Sequence, residues 1–219
     1  MATRAHAPAW RAAIKQALKK NGKNPTSKYA QLATVDARDG APSVRTVVFR
    51  GFLDGFFDDD DANASSDGDG DALVFCTDSR SEKVRDVVGD ARAEMAWYFP
   101  ETREQFRVRG TLTVSTATTT GDEREARARG NLWRKMRRGA RGQFLWPTPG
   151  GARSDVSDGE ADPHAVEESD ARLDDEVVGE NFALVALRAK RIDHLSLKRN
   201  ERVVHEEVDG EWVSTRVNP

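Results

Sequence analysis

Eight short segments alternate apolar or β-branched residues with polar ones: 28–35, 43–50, 72–77, 92–99, 105–116, 182–194, 202–207 and 212–217. A period of two sorts side chains onto opposite faces of an extended chain, so this text predicts strands. Together they predict a mostly antiparallel sheet closing into a β-barrel. Three helical segments join it. Residues 8–21 begin at Pro8, 81–88 follow a Ser, and 121–138 place Leu132 and Met136 one turn apart. No internal repeat at a solenoid or propeller period is present.

At 219 residues the chain is long enough for one domain with a sizeable core, and a single domain over 1–219 is the expectation. Two acid-rich, Gly- and Ser-containing stretches, at about 55–71 and 150–178, read as solvated insertions in it. Neither has the spacing of an EF-hand loop, so calcium is not expected. The lone Cys76 excludes an intramolecular disulfide, and with four His in the whole chain no zinc site of the usual spacing is expected. No apolar run approaches the ~20 residues that cross a bilayer. The first residues lack the apolar stretch of a secretory signal, which makes cytoplasm the expected compartment; their basic, acid-free character leaves organellar targeting open.

Three motifs carry chemistry. In SVRTVVFRGF (43–52), alternation sends Arg45, Val47 and Phe49 to one face and Thr46, Val48 and Arg50 to the other, so the two arginines serve different groups. Arg45 suits a phosphate through its planar fork, and Arg50 suits an anionic group on a second molecule. In TDSRSEKV (77–84), Ser81 and Lys83 follow a strand ending at Thr77 and sit at a helix start, where free amides and the helix dipole attract anions. In WYFPETREQFRVRG (97–110), the Gln105 amide can donate to and accept from a polar ring edge. Each has a bland alternative: rim arginines, a Ser that only caps its helix, a Gln that decorates a sheet. Their conjunction is more specific than any one of them, and it fits a flavin and its phosphate.

That conjunction resembles the pyridoxamine 5'-phosphate oxidase superfamily of FMN-binding split β-barrels, in particular its branch of FMN-binding-domain proteins distinct from the true oxidase. The resemblance covers about 8–150 and 180–219, adding QFLWPTPG (143–150) and the C-terminal RVVHEEVDGEWVSTRVNP to the three motifs. It implies a mainly β, antiparallel split barrel with a few peripheral helices, FMN as cofactor, and a homodimer with two sites at the subunit interface. It implies that Arg45, Ser81 and Lys83 hold the phosphate, and that the ring lies along Thr46, Val47, Val48 and Phe49 and near Thr77. Gln105 and Arg202 complete the pocket, with Gln143 a weaker correspondence.

The chain departs from the family in three places. Glu82 precedes Lys83 where the family pairs two cations, KRNER (198–202) replaces an Arg-Leu-His set, and of a Tyr, Arg, Ser set on the preceding helix only the Arg has a counterpart, Arg138. Arg50 takes the place of a lysine facing substrate phosphate. The expected function is therefore an FMN-dependent oxidoreductase acting on a small anionic substrate, oriented by Arg50 and Arg138, with no side chain named as catalyst. The alternatives are a non-catalytic FMN carrier or sensor and, less favoured, a pyridoxamine/pyridoxine 5'-phosphate oxidase. The basic run from Arg124 to Arg141 is diluted by Asp122, Glu123 and Glu125 and lacks an aromatic stacking platform, so no nucleic-acid or membrane partner is expected.

Overall fold

Strand β5 (Arg92–Phe99) and strand β6 (Glu104–Ser115) pair along their length, antiparallel, and set the centre of the sheet. Their alternation is strict: Ala93, Met95, Trp97 and Phe99 are buried while Arg92, Ala96 and Tyr98 face outward. The computed structural model describes residues 7–58, 69–119, 123–152 and 162–219. Among them, β1 (Tyr29–Val35) pairs β5 on one side and β2 (Pro42–Val48) on the other. On the far side of β6 lies β7 (Phe182–Ser196), then β4 (Leu73–Asp78) and the short β3 (Gly51–Phe52). The second half of β7 pairs instead with β8 (Glu201–Val208), which carries β9 (Glu211–Val217). Every pairing is antiparallel, and the sheet curls into a half-barrel with four helices among the described residues.

Two cores flank the sheet, and the run Phe182–Leu187 serves both, which is why it is apolar without alternation. Val185 and Leu187 join the core containing Trp97 and Phe106. Phe182, Leu184 and Ala186 join the one containing Trp133 and Phe144. Helix α1 (Ala9–Lys20) closes the first core with Trp10, Ile14 and Ala17, spaced four and three apart. Helix α3 (Glu123–Arg134) closes the second with Ala128, Leu132 and Trp133.

Two sequence expectations change. The strand expected over 43–50 ends at Val48, because the chain swaps partners there: Phe49 N–H donates to the Lys28 carbonyl and Arg50 N–H to that of Val74, each at 2.8 Å. The helix expected over 121–138 stops at Arg134, and a short α4 (Arg138–Arg141) follows. Arg141 explains the stop: its guanidinium donates to the Trp133 and Arg134 carbonyls, at 3.2 and 3.0 Å, satisfying the free end of α3. Residues 162–178, expected as part of a solvated insertion, are largely exposed but anchored to the domain at Leu173. Leu173 is buried, Trp133 donates to the Asp174 carbonyl, and Arg141 to that of Leu173. Residues 153–161 of that insertion and 59–68 of the first lie outside the described residues.

On the outer face of the sheet, Asp193 accepts from Arg107 on β6 and from Arg202 on β8, the latter at 2.9 and 2.7 Å. Hydrogen bonding to Arg202, then to Arg107, holds its carboxyl down at about 2. A depressed folded-state pKa stabilises the fold above the ordinary carboxylate range and is lost as pH falls through the folded value. Asp193→Asn should therefore flatten the loss of thermal stability between about pH 4 and pH 2; melting curves of variant and parent across that window, if parallel, would refute this.

Candidate functional site

Strand β4 ends at Asp78, and four residues later the chain enters helix α2 (Glu82–Gly89); the turn between them builds an anion grip. Asp78 sets the turn, its carbonyl accepting from Ser81 N–H and its carboxylate from Arg80 N–H. Ser81 occupies the N-cap position but makes no capping bond. Its hydroxyl turns instead to Thr77 Oγ1, 3.2 Å away, and to Lys83 Nζ, 3.3 Å away, while Lys83 also donates to Thr77 Oγ1 at 2.6 Å. Burial, and then the nearby Arg45, push the Lys83 ammonium below its ordinary pKa. It makes no salt bridge among the described residues. A half-buried cation, two hydroxyls and the positive end of α2 thus converge at one turn.

Arg45 stands one layer behind. It donates to Thr34 Oγ1 at 2.6 Å, to the Ser43 carbonyl and hydroxyl at 2.8 Å, and pairs with buried Asp86 on α2 at 3.3 Å. Asp86 also accepts from Thr34 at 2.7 Å. The network fixes α2 against β1 and β2. Glu82, the residue that departs from the family's cation pair, is exposed and lies near Arg85 and Arg38, at 3.4 and 3.8 Å. It does not line the cavity.

The grip opens into a cavity of about 740 Å³, within the usual range for small-molecule sites. Thr46, Val47, Val48, Arg50 and Cys76 line it together with residues of the 143–152 strap, Pro163 and His164. Arg80 ties the strap to the turn, donating to Asp78 and, at 2.9 Å, to the Trp146 carbonyl. The exposed Trp146 ring meets His164 edge-on, with centroids 5.5 Å apart. Burial pushes the Cys76 thiol up, so it presents a neutral sulfur rather than a thiolate.

Of the residues singled out in the sequence, Thr46, Val47, Val48, Arg50, Thr77, Ser81, Lys83 and Gln143 line this cavity. Phe49 does not; it is buried in the first core against Trp97 and Phe52. Arg138 lies elsewhere, donating to the Glu168 and Asp170 carbonyls. Gln105 and Arg202 sit at one level of the sheet, flanking Leu195, on the outer face that also carries exposed Tyr98. Within one chain they do not reach the cavity. Cys76, Asp78 and His164 were not singled out. His164 carries no signal of its own, being embedded in acidic text. Among the described residues, no group of three His, Cys, Asp or Glu is placed to hold a metal ion.

Residues 7–116 match the family described as pyridoxamine 5'-phosphate oxidase, FMN-binding domain. The chain belongs to that family. Its cofactor is FMN. A "Pyridoxine/pyridoxamine 5'-phosphate oxidase 2" of Arabidopsis thaliana is 30% identical over 98% of both chains. A pyridoxine/pyridoxamine 5'-phosphate oxidase of Rhizobium johnstonii is 34% identical, over 46% of this chain and 40% of its own. A crystal structure of a pyridoxamine 5'-phosphate oxidase-related, FMN binding protein from Nostoc punctiforme superposes with a TM-score of 0.81 at 35% identity, covering 97% of this chain and 98% of that one. PhzG from Burkholderia lata shares the fold, with a TM-score of 0.63 at 19% identity. The expected fold and cofactor family are thus confirmed. No described helix is long and apolar enough to cross a membrane.

Proposed function

We propose that this family member binds FMN in the cavity below the Thr77–Lys83 turn and is a flavin-dependent oxidoreductase for a small anionic substrate. The observation that carries the reading is the unpaired Lys83 ammonium held by Thr77 and Ser81 at the start of α2. Those groups fit a phosphate monoester: one cation, two hydroxyls and a helix N-terminus satisfy an anion that water would otherwise solvate. Arg45, already committed to Thr34, Ser43 and Asp86, adds positive potential and positions α2. Thr46, Val47 and Val48 line the same cavity and flank the ring.

FMN supplies the redox chemistry when bound, and the protein supplies position, electrostatics and access. Arg50 lines the same cavity and orients an anionic substrate. Trp146 and His164, in edge-on contact, line the same cavity and help exclude water from it. Arg138 is held by backbone carbonyls, so the substrate charge falls to Arg50.

Gln105 and Arg202 share an outer face with half-buried Leu195 and exposed Tyr98 and Val217. In a homodimer this face is the one that brings them to the partner's cavity. Light scattering should report a dimer that binds one FMN per chain; a monomer that binds FMN as tightly would overturn the dimer reading. Turnover is tested by reducing the FMN-loaded protein with a nicotinamide donor under anaerobic conditions and watching reoxidation on admitting oxygen. A flavin that no donor reduces favours the carrier reading.

A further inference from the structure

The strap that lines the cavity has few holds on the domain. It leaves the second core at buried Phe144, and from Trp146 to Ala152 every residue is exposed and every residue lines the cavity. Pro147 and Pro149 have no backbone N–H to donate and fix their own φ, while Gly150, at φ 77°, turns the far end. Hydrogen bonding beyond Trp146 is local, with Gly151 N–H donating to the Thr148 carbonyl at 3.1 Å. The Trp146 ring adds its edge-on contact with His164. A segment with little buried apolar surface and few bonds to the body lies at the low-stability end of a fold, the end from which moving covers are drawn.

Two carbonyls at the near end are held from outside the strap. Asn181 Nδ2 donates to that of Phe144 at 3.0 Å, and Arg80 to that of Trp146 at 2.9 Å. Both donors belong to one corner, since Ser79 N–H donates to the Asn181 carbonyl at 2.8 Å. Arg80 is the hold next to the exposed stretch. Asp78 fixes its guanidinium, accepting from Nε at 3.0 Å and from Nη2 at 2.7 Å, and the same Nη2 reaches Trp146, 66 residues away along the chain. The turn is already closed by its own bonds, Asp78 accepting from Arg80 N–H at its carboxylate and from Ser81 N–H at its carbonyl. The reach to the strap is additional to that closure. Arg80 itself does not line the cavity.

We propose that Arg80 is a positioning residue that latches the strap against the cavity and thereby sets how fast a bound flavin leaves, without touching the flavin. The inference rests on the reading that this cavity holds FMN. Arg80 lies between Thr77 and Lys83 in sequence, so the grip on the phosphate and the latch on the strap are parts of one turn. Breaking the latch frees the strap and leaves Thr77, Ser81 and Lys83 in place. Its effect therefore falls on any flavin, with or without a phosphate.

The test is release of FMN and, separately, of riboflavin from the full-length protein, followed by flavin fluorescence on dilution, together with amide exchange of the flavin-free chain read by mass spectrometry. Arg80→Ala should speed release of both flavins about tenfold, the worth of one hydrogen bond from a charged donor. Association should stay within about twofold of the parent, because the latch acts on dissociation. Exchange should quicken over 143–152 and keep the parent's rate over 77–83. Arg80→Lys keeps the charge but lacks the planar fork that spans Asp78 and Trp146, and it too should release both flavins faster than the parent. Faster release of FMN alone would make Arg80 a charge acting on the phosphate and overturn the latch, as would exchange quickened equally over 77–83. Unchanged release from the alanine variant overturns the latch and leaves the flavin reading standing. A parent that binds neither flavin refutes that reading instead, and the proposal with it.

Discussion

Lys83→Ala should cost the protein most of its grip on FMN. The side chain donates to Thr77 and Ser81 and has no carboxylate partner, so the charge it carries is free for a phosphate. Hydrogen bonds to charged groups are worth roughly 1.5–3 kcal/mol, which corresponds to about a 10- to 150-fold rise in Kd. The fold should tolerate the change, because what is removed is a cation whose burial is unfavourable in the absence of an anion. Flavin fluorescence titration and a melting curve on the same sample separate the two effects. Loss of affinity with an unchanged Tm is the expected pair; unchanged affinity would remove Lys83 from the phosphate site. Arg45→Ala should weaken FMN as well, but with a fall in Tm, since it strips Asp86 and Thr34 of a shared donor.

Gly110→Ala should be more damaging still, and to the fold rather than the ligand. Gly110 sits where the register of β6 against β7 shifts, pairing Ala189 while its predecessor Arg109 pairs Arg191. The backbones approach so closely there that an added Cβ would lie 2.8 Å from the Arg188 carbonyl carbon and 3.1 Å from Ala189 Cα. Both are main-chain atoms of the longest strand, which holds β4, β6 and β8 together. Neither can step aside as a flexible side chain can. A destabilisation of about 4–5 kcal/mol or more is expected, the exceptional end of single substitutions. Soluble expression with a Tm within a few degrees of the parent would contradict it.

Much of this architecture is written in the period-two text. Ala93, Met95, Trp97 and Phe99 alternate in sequence and are buried in the structure, and Arg45 shares a face with Val47 and Phe49 as alternation requires. What alternation cannot carry is the identity of partners remote along the chain. Asp86 and Thr34, which hold Arg45, are 41 and 11 residues from it. The end of α3 is equally silent in local text, because its carbonyls are satisfied by Arg141 from the next helix. Acidic composition reads 162–178 as solvated and most of it is exposed, but composition does not reveal that Leu173 is buried or that Pro163 and His164 line the cavity. Within the site, the grip was legible because Ser81 and Lys83 are local to one strand–helix turn.

The central claim is that this cavity holds a flavin by its phosphate. Titrating the full-length protein with FMN and with riboflavin, and following flavin fluorescence, tests it directly, because the two ligands share the ring and differ in the phosphate. FMN should bind at least about two orders of magnitude more tightly, and Lys83→Ala should erase most of that difference. Equal affinities for the two flavins, or no binding of FMN, would contradict the assignment.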